Sequence, residues 1–250
     1  VNVQDRIIVA LDVSSVREAH EIVSEVEPYV GGFKIGMQFI YSLVAKVMNG
    51  DKDGRVPEEL NEVPSLIKSM KGKLFLDVKI DDIPNTLAGT AKEIASIHPL
   101  ALNVMASAGI DGMLAVSKVK GDAKLWIVTV LTSKEENDAH LTFGAPSKAK
   151  ALQYSREAKL SMADGIICSP QELALLKPRP ELQGLEFANP GIRPAWSVVG
   201  DQKRIMAPAD ALKAGADRLI IGRPITNHPN CASRAEACER ILEEIMAVNP

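Results

Sequence analysis

Cysteine is scarce in this chain, with Cys168, Cys231 and Cys238 the only three in 250 residues. An odd number argues against a full disulfide framework, and none of the spacings resembles a metal motif. The four histidines, His20, His98, His140 and His228, are scattered without helical ligand spacing, so no metal site is expected. Long apolar runs are missing too. None approaches the roughly 20 residues that span a bilayer. The opening residues Val1–Asp5 show no charged segment followed by an apolar stretch, so no signal peptide is expected and the cytoplasm is the expected location. Charge of one sign is also lacking. A net charge of −3 recommends neither nucleic acid nor an anionic membrane as partner, although a local basic pocket for one small anion remains compatible.

What is present is ordinary globular composition, 46% hydrophobic and 24% charged. No linker, low-complexity tract or composition shift divides the chain, which is expected to form a single domain over residues 1–250. Short, β-branched apolar runs alternate with amphipathic stretches from end to end. The runs at 6–13, 32–36, 74–80, 101–106, 125–131, 165–169, 185–189 and 218–222 read as strands buried on both faces. Helical patterns occupy 15–26, 38–47, 58–70, 84–97, 110–119, 148–161, 170–176 and 208–214, and a last one, 233–247, follows the final strand. Strand then helix, repeated eight times in 250 residues, predicts an α/β fold of the (β/α)8 TIM-barrel type. The competing doubly wound sheet would carry a glycine-rich turn after its first strand, whereas this one continues Leu11-Asp12-Val13-Ser14-Ser15. The polar stretch 49–55 reads as a solvated surface insertion.

The densest cluster of chemistry lies at Asp77-Val78-Lys79-Ile80-Asp81-Asp82-Ile83-Pro84, at the end of the third apolar run. On a regular strand Asp77 and Lys79 would share a face, roughly 6.6 Å apart along the strand. Carboxylates flanking a lysine hold it protonated and aimed, as a proton-transfer site requires. A solvated charge cluster at a strand-to-helix turn is the alternative. Barrel enzymes place their sites at the carboxyl ends of the strands. Asp12, Lys34, Thr132, Arg193 and the pair Gly222-Arg223 all fall at or near such ends. A lysine inside an apolar strand, as Lys34 is, is costly unless paired, so an alternating network with Asp12, Asp77 and Lys79 is expected. Arg193 and Gly222-Arg223 fall after strands seven and eight, the common phosphate-gripping place of this architecture. The segment from Pro190 to Pro208 has the length of a lid, from which Gln202 could reach a substrate on closing, with a disordered connection as the equal alternative.

These residues resemble the orotidine 5′-phosphate decarboxylase family over essentially the whole chain, with the bacterial type most similar. Its Asp-x-Lys-x-x-Asp motif falls on Asp77, Lys79 and Asp82, and the threonine closing that run falls on Thr86. Its Pro-Gly-Ile-Arg-Pro stretch resembles 190–194, and its Gly-Asp-Gln run resembles 200–206. Met105 stands where bacterial members usually carry histidine, and Ala195-Trp196 replaces a more usual Gln-Gly. The resemblance implies decarboxylation of orotidine 5′-phosphate to UMP, in de novo pyrimidine biosynthesis, without metal or organic cofactor. It implies Lys79 as general acid, with Asp77, Lys34 and Asp82 completing the charged network. It further implies ribose contacts from Asp12 and Thr86, a base contact from Thr132, and phosphate contacts from Arg193, Gly222 and Arg223, with Gln202 on a closing loop. A homodimer with shared sites is implied as well. A keto-sugar-phosphate decarboxylase of the same suprafamily and a non-catalytic phosphate-binding barrel are the rival readings.

Overall fold

The computed structural model describes residues 2–197, 204–228 and 230–248. Eight parallel strands close on themselves in sequence order: β1 (Ile7–Ala10), β2 (Gly32–Gly36), β3 (Leu74–Ile80), β4 (Ala101–Met105), β5 (Lys124–Val128), β6 (Gly165–Ile167), β7 (Glu186–Asn189) and β8 (Arg218–Ile221). Closure is made by β1 against β8, with Ile7 opposite Leu219 and Val9 opposite Ile221. Around the strands run α1 (Val16–Val26), α2 (Met37–Asn49), α3 (Val63–Ser69), α4 (Pro84–Ala95), α5 (Gly109–Ser117), α6 (Glu136–Phe143), α7 (Ser147–Leu160), α8 (Leu173–Leu176), α9 (Pro208–Lys213), α10 (Arg223–Thr226) and α11 (Arg234–Met246). The TIM barrel expected from the alternating pattern is therefore the fold. Among the described residues no helix is long and apolar enough to cross a membrane.

Two apolar layers follow from strands that are buried on both faces. The larger lies between strands and helices and includes Ile7, Val9, Phe33, Leu102 and Ile221. The smaller fills the barrel interior with Ile8, Phe75, Trp126, Val128, Ile167 and Ile220, where the Phe75 and Trp126 rings meet edge to face at 4.9 Å. Below that plug, Glu186 accepts from Lys124 at 2.8 Å, from Arg218 Nε at 2.7 Å and from the Trp126 indole at 3.1 Å. This ionic clasp ties β5, β7 and β8 together at the end opposite the strand carboxyl termini.

The elements depart from the sequence reading in a few places. The strands expected over 6–13 and 125–131 stop at Ala10 and Val128, because ladder pairing ends there while the chain continues as loop. The single helix expected over 58–70 divides into a 3-10 turn, Glu58–Glu62, and α3, with Pro64 in the first turn of α3, where a missing N–H costs little. Helix α6 was not expected. Its sequence, Glu-Asn-Asp-Ala-His-Leu-Thr-Phe, buries only Ala139 and offers no apolar period. The stretch 49–55 is surface chain, as expected.

Candidate active site

The strand carboxyl ends open into a cavity of about 860 Å³, within the range of small-molecule sites. Its floor is the top of the interior plug, Phe75, Val128 and Ile220 among others. Asp12, Lys34, Asp77 and Lys79 line one side, and Arg193, Gly222 and Arg223 also face it, with Thr132 on the rim.

Lys34 rises from β2 with its side chain 9% exposed, and its Nζ lies 2.9 Å from Asp12 Oδ1 and 3.2 Å from Asp77 Oδ2. The other oxygen of Asp77, Oδ1, accepts from Lys79 Nζ at 2.6 Å. The four groups form the alternating chain Asp12–Lys34–Asp77–Lys79. Burial raises the Asp77 pKa, but Lys34 and Lys79 outweigh it and hold the carboxyl below its ordinary value. Burial lowers the Lys34 pKa, but Asp77 and Asp12 outweigh it and hold the ammonium above the usual lysine value. Gly36 makes room for this pairing, since a Cβ there would stand 3.0 Å from Lys34 Nζ.

Regular strand alternation does not bring Asp77 and Lys79 together, contrary to the expectation. Leu76 pairs with Leu102 and Ile80 with Val104, so Asp77, Val78 and Lys79 bulge over the single residue Asn103. Lys79 itself adopts φ 48°, a left-handed conformation that few residues with side chains take. Bulges of this kind re-aim side chains beside active sites. Asn103 is fully buried; its Nδ2 donates to Asp77 Oδ1 at 2.6 Å and its Oδ1 accepts from the Lys79 backbone N–H at 2.7 Å. The sequence reading missed this residue. The available signal was an amide inside the apolar run Ala101-Leu102-Asn103-Val104, since a buried amide requires partners.

On the same cavity, Arg193 is buried and its guanidinium donates to the Ile192 carbonyl at 2.8 Å, while Arg223 begins α10 and is exposed. The chain leaving β7 is stitched to its return by two backbone bonds, Arg193 N–H to Met206 O at 2.9 Å and Met206 N–H to Gly191 O at 3.1 Å. Arg204 donates to Glu172 at 2.5 Å and to the carbonyls of Val130 and Leu131 at 3.3 and 2.9 Å. It therefore braces the turn that carries Thr132. Gln202 and the proposed lid tip at 198–203 lie outside the described residues.

Residues 5–238 match the family described as Orotidine 5'-phosphate decarboxylase / HUMPS family. The chain belongs to that family. It is 36% identical over 256 residues to the orotidine 5'-phosphate decarboxylase of Syntrophomonas wolfei, covering 97% of this chain and 98% of that protein. Against the enzyme of the same name from Rhodopseudomonas palustris strain BisA53 it is 36% identical over 252 residues, covering 98% and 97%. The crystal structure of the Lactobacillus acidophilus orotidine 5'-phosphate decarboxylase superposes with a TM-score of 0.72 at 27% identity, over 96% of this chain and 98% of that one.

The family's Asp-x-Lys-x-x-Asp run is split by the geometry of this member. Asp77 and Lys79 line the cavity, whereas Asp82 and Thr86 are exposed and do not. Asp82 Oδ1 accepts from the N–H of Ile83 at 2.6 Å, so within one chain this carboxylate stays outside the network.

Proposed function

We propose that this chain decarboxylates orotidine 5′-phosphate to UMP, with Lys79 as the general acid. The observation that carries the reading is the Lys79 ammonium, clamped to Asp77 at 2.6 Å and lining the cavity that Arg193 and Arg223 also face. The C6–carboxylate bond breaks, CO2 leaves, and the electron pair stays on carbon 6. A cation fixed beside that carbon stabilises the developing charge without reorganising. Nζ then gives a proton to carbon 6, forming the C–H bond of UMP, and the neutral amine recovers its proton from water. No metal or organic cofactor takes part in this scheme. Asp77 and Lys34 keep the ammonium in place, Asp12 binds ribose hydroxyls, and Thr132 contacts the base. Arg193 and Arg223, with the backbone at Gly222, hold the phosphate, with Gln202 as a further substrate contact. Binding energy collected at that remote group is expressed as rate at carbon 6.

The working unit in this proposal is a homodimer in which Asp82 and Thr86 of one copy serve the cavity of the other. Their exposure beside Ile83, itself 66% exposed, supports this, as does the outward face of α2. That helix buries only Phe39 and presents Met37, Tyr41, Val44 and Met48 at helical spacing.

Loss of the orotidine 5′-phosphate absorbance on adding the purified protein tests the reaction. Lys79→Ala should abolish turnover while UMP still binds. A variant keeping more than about one per cent of kcat, a loss under ~3 kcal/mol of barrier, would contradict the general-acid role.

A further inference from the structure

We propose that Asn103 is a positioning residue for this decarboxylation, setting the Lys79 ammonium through both ends of a single amide. The inference rests on the reaction proposed above and adds a residue that never touches substrate, since Asn103 does not line the cavity. A fully buried amide is costly unless both of its ends are engaged. Here they are. Nδ2 donates to Asp77 Oδ1 at 2.6 Å, and Oδ1 accepts from the Lys79 N–H at 2.7 Å. The partners fix the orientation of the amide, because a backbone N–H only donates and an ionised carboxylate only accepts.

Three residues of β3 stand over this one residue of β4, so the side-chain carbonyl of Asn103 takes the place of a ladder acceptor for Lys79. That bond holds the Lys79 backbone at φ 48°. At the far end of the same side chain, Asp77 Oδ1 receives both the Asn103 amide and the Lys79 ammonium, each at 2.6 Å. Asn103 thus fixes the root of the lysine, its backbone, and its anchor, the carboxylate. A residue that merely sealed the bulge would hold the root alone.

The test is steady-state kinetics of Asn103→Ala and Asn103→Asp against pH, paired with amide hydrogen exchange at the Lys79 N–H. Asn103→Ala should lower kcat about 10- to 100-fold, as loss of an outer-shell orienting partner or a small misplacement does. Its KM should change less than about 3-fold, because the substrate contacts remain. Asn103→Asp keeps the acceptor for the Lys79 N–H but faces Asp77 with a second carboxylate, and two such groups share a proton. Its kcat should therefore fall as pH rises through that shared titration, a limb the parent lacks. An alanine variant within about 3-fold of the parental kcat, or an aspartate variant that tracks the parent at every pH, overturns the proposal. If the alanine variant does not fold, the near-isosteric aspartate variant decides. Hydrogen exchange needs no substrate. The Lys79 amide should exchange faster in Asn103→Ala, and unchanged protection overturns the proposal. A parent protein that fails to consume orotidine 5′-phosphate would sink the reaction itself, and the exchange rate would still decide whether Asn103 restrains Lys79.

Discussion

Lys34 and Asp77 hold each other in their charged forms, and the pH dependence of the molecule should show it. A carboxyl whose folded pKa is depressed contributes stability above its unfolded pKa, near 3.9, and that contribution is lost as pH falls through the folded value. An ammonium whose folded pKa is raised contributes below about 10.4 and loses that contribution as pH climbs through its raised value. Between those limits the network keeps one charge state. Lys34→Met removes the foremost cation opposing the burial of Asp77, so the folded Asp77 pKa should rise toward its unfolded value, and the variant, destabilised at neutral pH, should lose less of its urea midpoint than the parent as pH falls below about 3.9. An unmoved acid limb would mean the two groups are not coupled. Elsewhere on the cavity, Arg223→Ala should weaken binding of phosphorylated nucleotides and spare the free nucleoside, as titration calorimetry with UMP and uridine would show. Equal loss for both ligands would remove Arg223 from the phosphate site. Most of these residues were legible because a charge at the end of an apolar strand has no packing purpose. Asn103 was not, because its amide marks only a need for partners, and which partners it takes depends on the bulge of three β3 residues over it.

At the scale of elements, short runs that are apolar except for the charges of the site, 32–36 and 74–80, located β2 and β3 to the residue. Helix α6 was invisible for the opposite reason. It is polar on nearly every side and is held by local contacts, including Glu136 accepting from the Ser147 N–H at 3.0 Å and Phe143 against Tyr154 at 6.0 Å. The register of β3 on β4 was equally hidden, because hydrophobic pattern fixes which face is buried and not where extra residues are taken up. The connection after β6 meets the return from β7 through Arg204 and the fully buried Glu172, which also accepts from the Ser169 N–H at 3.1 Å. Removing one partner strands a buried charge. Arg204→Ala should cost about 3–5 kcal/mol in urea unfolding. The paired replacement Arg204→Met with Glu172→Leu should cost less, and a cycle without that asymmetry would show that the pair is not coupled.

For the whole molecule, barrel closure separates two tasks. The Glu186 clasp secures one end, and the cavity occupies the other. The eight-fold alternation foretold this architecture. What it did not convey was that Asp82, three residues beyond Lys79, would sit outside the charged chain of Asp12, Lys34, Asp77 and Lys79. A shared dimeric site makes a definite prediction. Mixing inactive Lys79→Ala protein with inactive Asp82→Asn protein, then allowing subunits to exchange, should restore turnover, because each mixed dimer owns one intact cavity. Activity that stays absent after exchange, with mixed dimers demonstrated, would confine Asp82 to its own chain. The burial of Lys34 reaches beyond catalysis to chemical labelling of the protein. Only the neutral amine attacks an acylating reagent, and this lysine is shielded from the reagent and kept protonated by two carboxylates. In a mass-spectrometric survey of lysine modification it should be among the last to react, and it should become a fast-reacting position only when the barrel opens.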